Sequence, residues 1–270
     1  MRFEVNYDRI RRNTEAAAAL CTPAGIELVG VTKACRGDPG LARAMMAGGA
    51  ARLAESRLEH VKRLRGAGID VEITMLRLPS PRLAGEVVRL CQASLNTQVE
   101  TVRALSDAAQ AQGVTHRVIL MVETGDRREG VMPQRVPEVA RAMASLPGVE
   151  LAGLGCNVTC IGGVLPTYEN TQVIVDLADE VARALGIDLP VISAGNSASL
   201  ALLLRGEMPA RATELRVGGA ILIGEVDSTG DWPDAMPHQD AFAVYADVIE
   251  VETKPCLLYT SDAADEEDSV

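Results

Sequence analysis

The chain lacks the features that would place it in several large functional classes. No continuous apolar stretch follows the opening Met-Arg-Phe-Glu-Val-Asn-Tyr-Asp segment, and no later run could span a bilayer, so neither a signal peptide nor a membrane anchor is expected. Basic residues are in the minority, 26 Lys and Arg against 37 Asp and Glu. Of the formal charge of −11, five charges lie in residues 256–270; the −6 left without them argues against a nucleic-acid backbone as partner. The six cysteines (Cys21, Cys35, Cys91, Cys156, Cys160 and Cys256) contain no CxxC pair, which points to free thiols in a reducing compartment such as the cytoplasm. His60, His116 and His238 make no metal-ligand spacing with them, so no metal site is expected. No GxGxxG follows the first strand-like run, which weakens a dinucleotide-binding reading.

What is present is globular: 47 % hydrophobic and 23 % charged residues over 270 positions, enough for one large α/β barrel or two modest domains. Short apolar or β-branched runs recur eight times, at 27–32, 51–54, 71–76, 93–96, 117–122, 149–155, 190–194 and 214–222. Between them lie segments of helical spacing, among them 39–47, 56–65, 98–111, 133–145 and 168–185, and a further helix at 8–20 precedes the first run. Strands alternating with helices imply right-handed βαβ units and a parallel sheet, and eight units are the number that closes a (β/α)8 TIM-type barrel. An open doubly wound sheet is the alternative. The barrel is expected over residues 1–235, and the β-rich run 241–252 is expected to begin a second β-domain at 236–255, without a partner strand of its own.

A barrel places its chemistry just after the C-terminal ends of its strands. Lys33 follows the run Leu28-Val-Gly-Val-Thr32, where partial desolvation would make its amine nucleophilic; a solvated strand-end lysine is the plainer reading. After the fifth run, Thr124-Gly-Asp-Arg-Arg-Glu-Gly130 reads either as a tight loop presenting a guanidinium to an anion or as a charged surface turn. After the sixth come Gly155-Cys-Asn157 and Cys160-Ile-Gly-Gly163, whose thiols fit a core role better than a catalytic one. Ser193-Ala-Gly-Asn-Ser197 opens a short helix, with Asn196 or Ser197 as a helix cap or as part of an anion site. In Leu215-Arg-Val-Gly-Gly219, Gly218 and Gly219 either let the backbone approach a phosphate or permit a bend.

Taken together, Val-Thr-Lys33, the 124–130 loop, Ala-Gly-Asn-Ser197 and Leu-Arg-Val-Gly-Gly219 resemble the fold-type III pyridoxal-phosphate enzymes, and within them the alanine/ornithine racemase group. Leu53-Ala-Glu-Ser-Arg57, Ser94-Leu-Asn96 and His238-Gln-Asp-Ala-Phe242 support the match, which covers about residues 1–255. The resemblance implies pyridoxal 5′-phosphate as cofactor, carried on Lys33 as a Schiff base. It implies that Arg216 bonds the pyridine nitrogen and that Ser197, Gly218 and Gly219 bind the phosphate. Arg128 falls near the cofactor oxygen or the substrate carboxylate, and Asn157 and Asn196 line the pocket. The implied activity is racemisation of alanine or a basic amino acid such as ornithine, by a homodimer in which the second base comes from the partner's C-terminal domain. Within this chain Cys160, Tyr168 and His238 are weak candidates for that base. A cofactor-carrying barrel with little turnover is the alternative. Cys156 and Ile161 stand where the family has Thr and an aromatic residue, and Gly219 where it often has a larger one.

The segment Cys256-Leu-Leu-Tyr-Thr-Ser-Asp-Ala-Ala-Asp-Glu266 resembles the translation of a transposase-end sequencing adapter. On that reading residues 256–270 are non-native and the native reading frame is truncated near Pro255; a genuine acidic, disordered terminus is the alternative.

Overall fold

Eight parallel strands pair in sequence order and close on themselves, the last returning to the first. The computed structural model describes residues 1–159, 163–226 and 234–253. The barrel strands are β2 (Glu27–Val31), β3 (Arg52–Glu55), β4 (Ile73–Met75), β5 (Ala93–Asn96), β6 (His116–Met121), β7 (Val149–Gly155), β8 (Val191–Ser193) and β9 (Glu214–Val217). The helices are α1 (Tyr7–Cys21), α2 (Pro39–Ala47), α3 (Leu58–Gly66), α4 (Ala84–Leu90), α5 (Val99–Gln112), α6 (Val136–Ala144), α7 (Tyr168–Leu185), α8 (Leu200–Arg205) and α9 (Gly219–Ile223). The expected TIM-type barrel is therefore the fold, and the runs at 51–54 and 93–96 take their places in its ladder, the first shifted by one residue to 52–55.

Alternation along each strand sorts its side chains between two cores. Leu28, Leu53, Ile73, Val118, Leu154 and Leu215 face outward and pack with helix residues such as Met45, Leu64, Leu105, Met143 and Ile174 in one continuous cluster. Val29, Val31 and Ala54 on one side, and Leu95, Ile119 and Met121 on the other, form separate small clusters inside the barrel. At the N-terminal end of the strands Arg52 bridges Glu27 and Glu214, the latter at 2.9 Å. Helix starts follow local chemistry. Asp38 caps α2, accepting from Leu41 N–H at 3.0 Å ahead of Pro39, and Thr167 with Asn170 forms a capping box at α7.

Two expectations need correction. The eighth strand does not run to Leu222. It ends at Val217, and 219–223 is helix α9, with Leu222 N–H bonded to the Gly218 carbonyl at 2.9 Å. An unbroken apolar run fits a buried strand and a buried helix equally, and here Ala220, Ile221 and Leu222 bury a helix face. The run after residue 241 also has a partner strand: β10 (Phe242–Tyr245) pairs with β1 (Arg2–Val5). The barrel unit spans Val5–Phe242, and Met1–Glu4 group with the segment from Ala243 as a second unit, in which Arg2 stacks on Tyr245 at 4.5 Å. Residues 256–270 lie outside the described residues. Among the described residues, no helix is long and apolar enough to cross a membrane.

Among the described glycines Gly153 has the least room for a side chain, since a Cβ there would lie 1.8 Å from the Val191 carbonyl oxygen. Gly153→Ala is expected to cost about 3 kcal/mol or more of stability by forcing β7 and β8 apart, read as a lowered urea midpoint. His116 is buried against the Ser94 hydroxyl, 2.8 Å from Nε2, and burial pushes its pKa down to about 4. As pH falls from 6.5 towards 4, the unfolded chain takes up a proton that the folded chain refuses, so stability drops on the order of 3 kcal/mol. Urea melts across this window should show that slope, and His116→Gln should flatten it.

Candidate active site

At the C-terminal ends of the strands the barrel opens into a cavity of about 920 Å³. All eight site residues expected from the sequence line it: Lys33, Arg128, Asn157, Asn196, Ser197, Arg216, Gly218 and Gly219. They come from five different strand ends, so it is barrel closure, and no local motif, that brings them together.

Among the described residues that line the cavity, Arg216 is the one buried cation, 5 % exposed. It lies on β9, the side chain turned into the barrel, and donates to the Ser193 hydroxyl and carbonyl and to the Cys156 carbonyl at 2.6 Å. Ser193 Oγ in turn donates to Glu214, which closes a chain of contacts down to Arg52 at the other end of the barrel. Burial pushes the Arg216 pKa down while Glu214 pulls it back up, and a guanidinium under these conditions keeps its proton. The site thus has a fixed cationic donor that cannot serve as an acid.

Asn196 caps the helical turn Ser197–Ser199, its Oδ1 accepting from Ala198 N–H at 2.9 Å, while its Nδ2 reaches Asn157 Oδ1 at 3.1 Å and the Val158 carbonyl at 2.7 Å. Ser197 Oγ accepts from the Gly218 and Ala220 N–H groups, both at 3.2 Å. A hydroxyl has two lone pairs and one proton. With both lone pairs occupied, Ser197 has only its O–H left to offer, so it meets an incoming group as a donor. A Cβ on Gly219 would stand 3.6 Å from this hydroxyl, inside the same cradle. The donor set of Ser197 O–H, the glycine backbone, the Lys33 amine and the Arg216 guanidinium fits a ligand with a phosphate, an aldehyde and an unprotonated ring nitrogen.

Lys33 begins a helical turn, Lys33–Cys35, directly after β2. It is exposed to the cavity, so the desolvation expected for it is absent from this structure. Its predecessor Thr32 donates to Glu55 at 2.8 Å, and the fully buried Glu55 also accepts from Ser56 N–H at 2.6 Å and contacts His60 Nδ1 at 3.1 Å. This carboxylate ties the end of β2 to the end of β3 and fixes where Lys33 leaves the sheet. The loop 124–130 is pinched at its base, with Glu123 N–H to Val131 carbonyl at 3.0 Å and Gly130 at φ 155, where a Cβ would strike the Glu123 backbone at 2.5 Å. It presents Arg128 to the cavity already paired, through two nitrogens, with the carboxylate of Glu129.

Other expectations fare differently. Cys156 is a buried free thiol whose pKa burial pushes up, in keeping with a core role. Tyr168 and His238 do not line the cavity, and Cys160 and Ile161 lie outside the described residues. Among the described residues no group of three His, Cys, Asp or Glu could hold a metal ion. Sequence reasoning did not single out Arg57 and Arg77, which line the cavity, nor Glu55, Ser193 and Glu214, which position its cations. The available signal was their place at the ends of β3, β4, β8 and β9.

A parallel eightfold barrel with a strand-end lysine and a donor cradle on its last two strands defines the barrel class of pyridoxal-phosphate enzymes. The chain belongs to the family described as alanine racemase, N-terminal domain, which matches residues 5–225. It is 31 % identical to the lysine racemase of Thermotoga maritima over 95 % of this chain and 71 % of that protein. It is 30 % identical to the ornithine racemase of Acetoanaerobium sticklandii over 95 % of this chain and 72 % of that one. Among solved structures, the alanine racemase of Clostridium difficile 630 in complex with cycloserine superposes with a TM-score of 0.73 at 20 % identity, over 89 % of this chain. This chain spans 66 % of that structure's length, slightly under two thirds, and at such identity the likeness concerns the fold.

Burial pushes the thiols of Cys21 and Cys91 up to about 12 and moves Cys156 in the same direction. At pH 8 an alkylating reagent should therefore leave all three unlabelled in the folded protein and modify them only in denaturant, as read by peptide mass spectrometry. Labelling of Cys156 without denaturant would place an accessible thiol in the site.

Proposed function

We propose that this chain supplies the cofactor-binding barrel of a pyridoxal 5′-phosphate-dependent amino-acid racemase acting on alanine or on a basic amino acid such as ornithine or lysine. The observation that carries the reading is the convergence of Lys33, Arg216 and the Ser197–Gly218–Gly219 cradle on one cavity. The racemases among its relatives favour it over a cofactor carrier with little turnover. Homodimerisation and a cytoplasmic setting belong to the same reading and rest on the family resemblance.

When bound, pyridoxal phosphate delocalises the electron pair left on Cα after its proton departs. The remaining work falls to the protein. The Lys33 amine would hold the cofactor and, once free, would take and return the Cα proton on one face. Arg216, cationic and unable to give up its proton, would serve as a donor to the ring nitrogen. Ser197 O–H, Gly218 and Gly219 would bind the phosphate, Arg128 would serve the cofactor oxygen or the substrate carboxylate, and Asn157 and Asn196 would complete the wall.

The test is visible absorbance of the protein with added pyridoxal phosphate, before and after borohydride, for wild type and Lys33→Ala. A Lys33-dependent band fixed by reduction is expected, together with interconversion of the D and L forms of ornithine, lysine or alanine that falls about a hundred-fold or more in the variant. A folded wild-type protein without the band, or release of CO2 with no racemisation, would overturn the proposal.

A further inference from the structure

The cavity lining carries more positive charge than its carboxylates balance: Lys33, Arg57, Arg77, Arg128 and Arg216 against Glu129 and Glu225. Arg128 is engaged by Glu129, and Arg216 by Ser193 and the Cys156 carbonyl. The guanidinium groups of Arg57 and Arg77 make no hydrogen bond or ion pair with any described residue. Both follow neighbouring strands. Glu55 and Met75, the last residues of β3 and β4, pair with one another, and Arg57 and Arg77 each stand two residues past those strand ends. Both line the one cavity, so two unpaired like charges share its rim. Such an arrangement is unfavourable on its own and favourable around an anion.

We infer that Arg57 and Arg77 form the subsite that grips a carboxylate of the amino-acid substrate. Strand order around the rim decides which oxyanion this is. The phosphate cradle belongs to the ends of β8 and β9, Lys33 to β2, and the arginine pair to β3 and β4. A ligand joined at Lys33 thus has phosphate donors on one side and the unpaired guanidiniums on the other. The inference rests on the proposed racemase reading for the identity of the ligand, and on charge and the shared cavity lining alone for the presence of an anion site. Arg57 and Arg77 act as binding and orienting groups and exchange no proton with Cα.

The test compares N-acetylalanine, which carries the carboxylate without a free amine, with N-ethylacetamide, the same molecule without the carboxylate. Binding of each to the full chain, with and without pyridoxal phosphate, is followed by saturation-transfer NMR and calorimetry for wild type, Arg57→Gln, Arg77→Gln and the double variant. Wild type is expected to prefer N-acetylalanine about ten-fold or more, and the double variant to lose that preference, with pyridoxal-phosphate affinity within about two-fold of wild type. Arg77→Lys should recover part of the preference. Both arginines are exposed and unpartnered, so the variants should keep the wild-type Tm. An unchanged preference in the double variant overturns the inference, as does a ten-fold loss of cofactor affinity with N-acetylalanine binding intact, which would make the pair a phosphate site. Because N-acetylalanine needs no Schiff base, a wild-type protein without the Lys33-dependent band that still discriminates through the arginines would defeat the racemase reading and leave the anion subsite standing.

Discussion

Pairing of β9 with β2 is the constraint on which the site depends. Its register sets Arg216 opposite Val29 and Val217 opposite Gly30, so the strand that ends in Lys33 lies beside the strand that carries the buried guanidinium. Every other strand pair of the barrel joins neighbours in sequence, which short helical connections bring together at modest entropic cost. The closing pair alone joins the first and last barrel strands. Without it Lys33 and the cradle of Ser197, Gly218 and Gly219 would sit at opposite edges of an open sheet.

Closure also creates an interior where a cation is expensive to bury, and the structure meets that cost with fixed partners. Arg216 is held by Ser193 and the Cys156 carbonyl, Ser193 by Glu214, and Glu214 by Arg52. Removing a link from such a chain leaves an unpaired buried charge, a larger penalty than the loss of one hydrogen bond. The chain also keeps the guanidinium in one place. The upper rim is built differently. Lys33, Arg57 and Arg77 are exposed to the cavity without such support, and their charges are available to what enters.

Much of the architecture was legible from short stretches. Eight strand runs could be counted because each has a few apolar or β-branched residues between turn-forming ones, and α2 and α7 were bounded correctly because Pro39 and Gly186 mark where helices start and stop. The run from Gly218 to Leu222 misled because it is apolar throughout, and a period cannot be read where every residue is alike. The pairing of β1 with β10 was hidden for another reason: the two strands lie at opposite ends of the chain. Arg57 and Arg77 look like ordinary strand-end charges until the closed barrel places both on the lining of one cavity.

The sequence by itself determined the kinds of element, their order, and the residues with chemistry to offer at strand ends. These follow from interactions among near neighbours, namely side-chain alternation, helix caps and the backbone limits of glycine and proline. Tertiary structure alone decided which side chains remain uncommitted. Arg128 is matched by Glu129, Arg216 is buried among acceptors, Lys33 stays in the open, and Arg57 and Arg77 are left facing the cavity. Whether a charge is paired depends on distances between strands far apart in the chain, and those distances exist only once the barrel has closed.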